Sequence, residues 1–116
     1  MADSTLNIAE VRSGNACIVA LSGRIDSTNA SEVMAELNRL ISSGEKAVIV
    51  DLASVLYLTS AAFRALLVAT DEAERHAAYF ALCSVMGHVR ELFEMGGLLD
   101  AFTVHNSREE ALARIG

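Results

Sequence analysis

The sequence of 116 residues has no proline and no tryptophan, and only 5% of its residues are aromatic. Its two cysteines, Cys17 and Cys83, lie in separate apolar runs and form no Cys-X-X-Cys pair. Free cysteine is commonly a buried residue, whereas paired cysteines are typical of oxidising compartments. We therefore expect two core thiols in a reducing compartment.

Long apolar runs and basic runs are also missing. The apolar stretches 47–50 and 61–63 are far shorter than the roughly 20 residues that span a bilayer. Residues 1–10 lack the basic start and apolar run of a secretory signal. The net charge of −6 repels nucleic acid backbones and anionic membrane surfaces. We expect a cytoplasmic protein that neither inserts into a membrane nor binds nucleic acid.

The sequence does contain enough apolar side chains for a core, because hydrophobic residues make up 53% of it. Its length suits one domain over 1–116, with little room for a second. No repeat or low-complexity tract interrupts the chain. The sequence does not specify the oligomeric state of the protein.

The period of the apolar residues changes along the chain and predicts alternating strands and helices. Asp26 or Ser27 is a candidate cap for the first helix, and Ser107 and Glu110 have capping-box spacing before the last one. The predicted elements are a β-hairpin of strands 6–11 and 16–21, a helix over 27–43, a buried strand over 47–52, a helix from Thr59 or Ser60 to about residue 76, a strand over 79–85, a helix over about 87–95, a strand over 102–104 and a helix over 107–115. These elements predict an α/β fold with a mixed β-sheet, opened by an N-terminal hairpin and covered by about four helices.

Common enzyme signatures are absent from the sequence. It has no phosphate-binding GxxxxGK[ST] or GxGxxG, no GxSxG and no HExxH. His76, His88 and His105 are scattered without ligand-like spacing, so we expect no metal and no cofactor. Asp26 and Asp51 could act as paired carboxylates only if they converged on one pocket, which no sequence feature indicates.

Ser60 stands where a buried strand and a short connection lead into a helix. It has two interpretations that the residues alone leave open. It could cap the helix, or it could accept a phosphate, because the free N–H groups and dipole of a helix N-terminus favour negative charge.

Three segments carry a resemblance to a known family. They are residues 21–26 (LSGRID), residues 50–67 around Ser60, and residues 89–98 (VRELFEMGGL), in this order along the chain. Together they resemble the STAS domain, and within it the bacterial anti-sigma-factor antagonists. The resemblance covers nearly the whole chain and implies a single STAS-like α/β domain with no enzymatic activity.

The resemblance also implies a phosphorylation switch. Ser60 matches the serine that, in the family, is phosphorylated by a serine kinase that is itself the anti-sigma factor, and a phosphatase could reset it. Thr59 stands in place of the usual aspartate. Ala62 stands in place of the usual glycine, and a glycine at this position would let a partner backbone approach closely. Asp26 matches the acidic residue bordering the serine. The residues expected to bind the partner are Asp26, Ser27, Asn29, Thr59, Ser60, Ala61 and Arg64.

Two alternatives remain open at the level of sequence. Because Thr59 cannot supply the usual carboxylate and Ala62 replaces the usual glycine, the chain could be a STAS subunit that is never phosphorylated and serves a transporter ATPase or a signalling complex. A different class is a small ligand-binding sensor or enzyme, with Asp26, Asp51 and Ser60 around a pocket at the strand ends.

Overall fold

The structure, a computed structural model, describes residues 6–115, so the predicted domain over 1–116 extends beyond the described residues at both ends. Strands and helices alternate after an opening hairpin. In chain order they are β1 (Leu6–Ser13), β2 (Ala16–Ile25), α1 (Ala30–Ser42), β3 (Ala47–Leu58), α2 (Ser60–Arg75), β4 (Tyr79–Cys83), α3 (Gly87–Met95), a 3-10 turn (Leu99–Ala101), β5 (Val104–His105) and α4 (Arg108–Ile115).

The strands form one sheet in the order β1-β2-β3-β4-β5. β1 and β2 are antiparallel, and their tight turn places Gly14 at a positive φ, a conformation that glycine adopts without steric cost. β2, β3, β4 and β5 are parallel neighbours, because a helix connects each to the next. The predicted α/β class and mixed sheet are confirmed.

Helices cover the two faces of the sheet unequally. On the first face, Leu37 of α1, Leu66 of α2 and Phe93 of α3 pack with β3 in one apolar cluster. On the second face, Ala111 of α4 packs in a smaller cluster with Ile49 of β3. The middle of β3 is therefore covered on both sides, which explains its unbroken apolar run.

β3 is longer than its predicted range of 47–52, because it continues to Leu58. The added residues pair with the end of β2, where Ile25 lies opposite Leu58. Val55 and Leu58 are buried, whereas the side chains between them are more exposed. The apolar pattern ended early because this part of the strand is covered on one face only.

Other element ends differ from the prediction as well: β1 runs to Ser13 and β2 to Ile25, both beyond their predicted ranges. α1 begins at Ala30 and not at residue 27, because residues 26–29 form a turn stabilised by side-chain hydrogen bonds. β4 ends at Cys83, since Ser84 has a positive φ that is incompatible with a continuing strand. The last strand lies at Val104–His105, after a 3-10 turn that the apolar pattern did not indicate.

Candidate functional site

Ser60 is the first residue of α2, and its side chain is exposed. The residue before it, Thr59, holds the N-cap position, with an extended backbone and no side-chain capping bond. Within the described residues, the Ser60 hydroxyl makes no hydrogen bond. Ser60 is therefore not the helix cap, and its hydroxyl is open to solvent.

Thr59 joins the start of α2 to the end of β2. Its N–H donates to the Ile25 carbonyl at 3.1 Å, and its Oγ1 lies 3.5 Å from the same oxygen. The Thr59 side chain is only partly exposed. This contact places the segment after β2, which carries Asp26, beside the segment that carries Ser60.

The Asp26 carboxylate is held by its own turn. Its Oδ1 accepts hydrogen bonds from the Thr28 hydroxyl at 2.5 Å and from the Thr28 N–H at 2.9 Å. These two bonds, the hydroxyl first, lower the pKa of Asp26 below its ordinary value, and the charge of Arg24 adds to the effect. The carboxylate is therefore ionised at neutral pH.

Asn29 is placed differently from the other predicted contact residues, because its side chain is only 5% exposed. Its Oδ1 accepts from the Asp26 N–H at 2.9 Å, and its Nδ2 donates to the Arg24 carbonyl at 3.0 Å. Since the amide group is used inside the fold, the Asn29 side chain does not contribute to the exposed surface.

Three residues of the predicted site, Ser27, Ala61 and Arg64, line a shallow depression of about 220 Å³ between the first turns of α1 and α2. Arg64 lies at its rim, one turn after Ser60, and none of the described carboxylates forms an ion pair with it. The depression is lined by Ser27, Ala30, Ser31, Met34, Ala61, Arg64 and Ala65.

Ala62, which replaces the glycine usual in the family resemblance, points into the fold. Its side chain is 2% exposed and belongs to the apolar cluster beneath α2. The methyl group that distinguishes Ala62 from the usual glycine is therefore buried in the core.

Asp51 lies apart from this site. Its Oδ2 accepts from the Arg108 Nε at 2.5 Å, on the sheet face that α4 covers. Its Oδ1 accepts from the Ala53 N–H at 2.9 Å. Asp26 and Asp51 therefore do not converge as an acid–base pair. Among residues 6–115, no group of three or more His, Cys, Asp or Glu residues is placed to hold a metal ion.

Comparison with known proteins gives the family. The model of the STAS domain matches residues 7–111. The chain belongs to the STAS domain family. The resemblance inferred from its three sequence segments is thereby confirmed.

Individual relatives of this STAS domain are anti-sigma factor antagonists by name. BtrV of Bordetella bronchiseptica, whose name designates it a candidate anti-sigma factor antagonist, is 38% identical over 96 residues, covering 83% of each chain. A crystal structure of an anti-sigma factor antagonist from Mycobacterium paratuberculosis has a TM-score of 0.84 at 18% identity, over 94% of this chain and 92% of that one.

The Bacillus protein SpoIIAA has the same fold in two states. Its unphosphorylated form has a TM-score of 0.76 at 20% identity, over 95% of each chain. Its phosphorylated form has a TM-score of 0.71 at 19% identity, over 96% of this chain and 99% of that one. At these identities the likeness establishes the fold of the STAS domain. In the described part of this chain, no helix combines the length and apolar character needed to cross a membrane.

Sequence reasoning missed one surface feature of this STAS domain. The Arg24 guanidinium lies 5.3 Å from the centre of the Tyr57 ring, and the His88 ring stacks on Tyr57 at 6.0 Å. Leu56 and Met86, next to this stack in the chain, are exposed. No sequence signal could have found it, because the three side chains come from β2, β3 and α3 and meet only through the tertiary packing of these elements.

Proposed function

We propose that this STAS domain is a cytoplasmic anti-sigma factor antagonist. In its unmodified form it binds an anti-sigma factor that is also a serine kinase, and this binding releases a sigma factor. Phosphorylation of Ser60 ends the interaction, and a phosphatase restores it. The domain itself catalyses no reaction. The similarity to BtrV over 83% of the chain supports the class of partner.

The single observation that carries the proposal is the exposed, unbonded hydroxyl of Ser60 at the first position of α2. A phosphate there meets the free N–H groups of the first helical turn, so the fold tolerates it. The neighbouring Thr59 hydroxyl is partly buried beside the Ile25 carbonyl. Ser60 is thus the more accessible of the two hydroxyl groups for a kinase.

The proposed contact surface consists of the exposed or half-exposed groups around Ser60, and Asn29 supports it from inside. A phosphoserine adds a charge of roughly −2 at neutral pH. In an interface this charge carries a desolvation cost of several kcal/mol unless a cation of the partner meets it. The surface residues are Asp26, Ser27, Thr59, Ser60, Ala61 and Arg64.

Binding by Ser60 variants tests the switch. We expect Ser60→Asp to weaken binding to an anti-sigma factor recovered from the native cells by at least about tenfold, because its added charge must lose water in the interface. A tenfold loss corresponds to about 1.4 kcal/mol of binding free energy. Ser60→Ala should bind as the unmodified protein does and stay insensitive to the kinase. Isothermal titration calorimetry measures both. Undiminished binding of Ser60→Asp would contradict the proposal.

Ser54→Asp is the matched control for this experiment. It makes the same substitution at another exposed serine, which lies within β3 and not on the helix that carries Ser60. We expect it to bind like the unmodified protein. Equal losses for Ser54→Asp and Ser60→Asp would indicate a general charge effect and not a switch at Ser60.

The intact mass of the protein from its native cells tests whether the modification occurs. A mass increase of one phosphate, located on Ser60 by fragmentation, is the expected result. An unmodified protein under several growth and stress conditions, together with recovery of a transporter ATPase or a large assembly and no kinase, would favour a permanent STAS subunit instead. Thr59, in place of the carboxylate expected there, is the residue that favours this second function.

A further inference from the structure

Asn29 is a buried polar residue next to the proposed contact surface. Its amide group bridges two backbone positions: Oδ1 accepts from the Asp26 N–H at 2.9 Å, and Nδ2 donates to the Arg24 carbonyl at 3.0 Å. A planar amide that satisfies one donor and one acceptor in this way acts like a neighbouring strand.

The place of this bridge is the end of the hairpin. Along β2, the backbone groups of successive residues point to opposite edges of the strand. Arg24 and Asp26 are alternate residues and face the same edge, where Asn29 donates to the Arg24 carbonyl and accepts from the Asp26 N–H. Its side chain therefore holds the backbone at the end of β2 from this edge.

The opposite edge of β2 holds the start of α2. Ile25 lies between Arg24 and Asp26, and its carbonyl accepts from the Thr59 N–H at 3.1 Å. The end of β2 is thus tied on one edge to α1 through Asn29 and on the other to α2 through Thr59. A rotation of the peptides around Ile25 would disturb both ties together.

We propose that Asn29 is a positioning residue: its side-chain amide holds the turn at residues 26–29 against the start of α2, so that the surface around Asp26 and Ser60 is rigid before a partner binds. The role of that surface in partner binding rests on the proposed function, but the positioning of the turn by Asn29 does not. The positioning role does not require a partner to contact Asn29 directly, since Asn29 is only 5% exposed.

Hydrogen exchange of the isolated protein tests the brace. We expect Asn29→Ala to accelerate exchange of the Asp26 and Thr59 amides about fivefold to tenfold, as the loss of one net hydrogen bond implies, and to leave the β4 amides nearly unchanged. Thr59 is the decisive amide, because Asn29 does not touch it. NMR measures each amide separately.

The titration of Asp26 gives a second readout. When the turn loosens, the Thr28 hydroxyl and N–H no longer stay aligned with the Asp26 carboxylate. The pKa of Asp26 should then rise from its lowered value toward the ordinary one in Asn29→Ala. Carbon-detected NMR of the carboxyl group measures this change, which a loss of packing alone would not produce.

Asn38→Ala is the matched control. Asn38 lies on α1, the helix that Asn29 precedes, and its buried Oδ1 has no hydrogen-bond partner in the described structure. Its removal deletes an equal side-chain amide without touching the turn. We expect no change in Thr59 exchange or in the pKa of Asp26. If Asn29→Ala behaved like Asn38→Ala, or accelerated exchange equally throughout the sheet, the proposal would be overturned.

A second variant serves if Asn29→Ala does not fold. Asn29→Asp keeps the size and the oxygen that accepts from the Asp26 N–H, but removes the donor to the Arg24 carbonyl. We expect faster exchange at Thr59 in this variant too, and unchanged exchange would overturn the proposal. These readouts need no partner and no kinase, so a failed search for an anti-sigma factor would refute the proposed function and leave the brace unaffected.

Discussion

Position 60 illustrates how a negative charge placed on one residue can be favourable for its own helix and unfavourable for a bound partner. It is the first residue of α2, where backbone N–H groups lack partners in the helix. The first turn of α2 has no acidic residue, so α2 itself supplies no carboxylate to the positive end of its dipole. A negative charge at position 60 should therefore stabilise the domain while it weakens an interface.

The sign of the charge at position 60 should decide the effect on stability. We expect Ser60→Asp to raise the free energy of unfolding by about 0.3–1 kcal/mol at low ionic strength, and Ser60→Lys to lower it by a similar amount. Urea denaturation measures both, and added salt should shrink the difference. Equal effects of the two substitutions would show that the position responds to the loss of serine and not to charge.

Among the elements, α4 is the described helix that packs on the second face of the sheet. Ala111 is its buried residue, and the partly buried Leu112 and Ile115 pack against the same cluster. The ion pair between Arg108 and Asp51 ties its first turn to β3, and the Asp51 side chain is only 9% exposed. This ion pair therefore adds a polar contact to the apolar packing of the helix.

Loss of that ion pair should be costly. We expect Arg108→Ala to lower the free energy of unfolding by about 1–3 kcal/mol, because it leaves a buried carboxylate without its cation. The control is Arg75→Ala, because the Arg75 side chain is 70% exposed in its ion pair with Glu72, and this substitution should cost no more than about 0.5 kcal/mol. Urea denaturation compares the two. Similar losses would mean that the Arg108 pair contributes no more than an exposed one.

At the scale of the whole molecule, the buried thiols couple stability to alkaline pH. Burial, with the nearby charge of Asp51 adding to it, raises the pKa of Cys83 from 9.0 to about 11. The folded state then keeps its thiol proton at a pH where the unfolded chain has lost it. Because the unfolded state binds fewer protons in this range, stability falls as the pH rises from about 9 to 11.

Removing the thiol should flatten this dependence. We expect the urea midpoint of the unmodified protein to fall between pH 9 and 11 more steeply than that of Cys83→Ala, although the variant is less stable at pH 7 because of the cavity. Cys17, whose pKa burial also raises, remains as the internal reference in both proteins. Parallel pH profiles for the two proteins would refute the assignment to Cys83.

Much of the architecture could be predicted because it depends on local pattern. The strand–helix alternation follows from apolar periods near 2 and 3.6, and the turn at Gly14 from its residue types. The capping-box spacing was half realised: the Ser107 Oγ accepts from the Glu110 N–H, whereas the Glu110 carboxylate accepts from the N–H of Asn106. The roles of Ser60, Thr59 and Arg64 in partner binding stay predictions.

The sequence by itself determined the α/β class, the family and the position of Ser60 at a strand-to-helix connection, because these follow from patterns among residues close together in the chain. Only the tertiary structure decided that β3 continues to Leu58, that Ala62 and Asn29 point inward, and that Asp51 faces α4. Each of these depends on which groups distant in the chain meet across the sheet. Burial and hydrogen-bond partners are properties of that packing, and no local pattern specifies them.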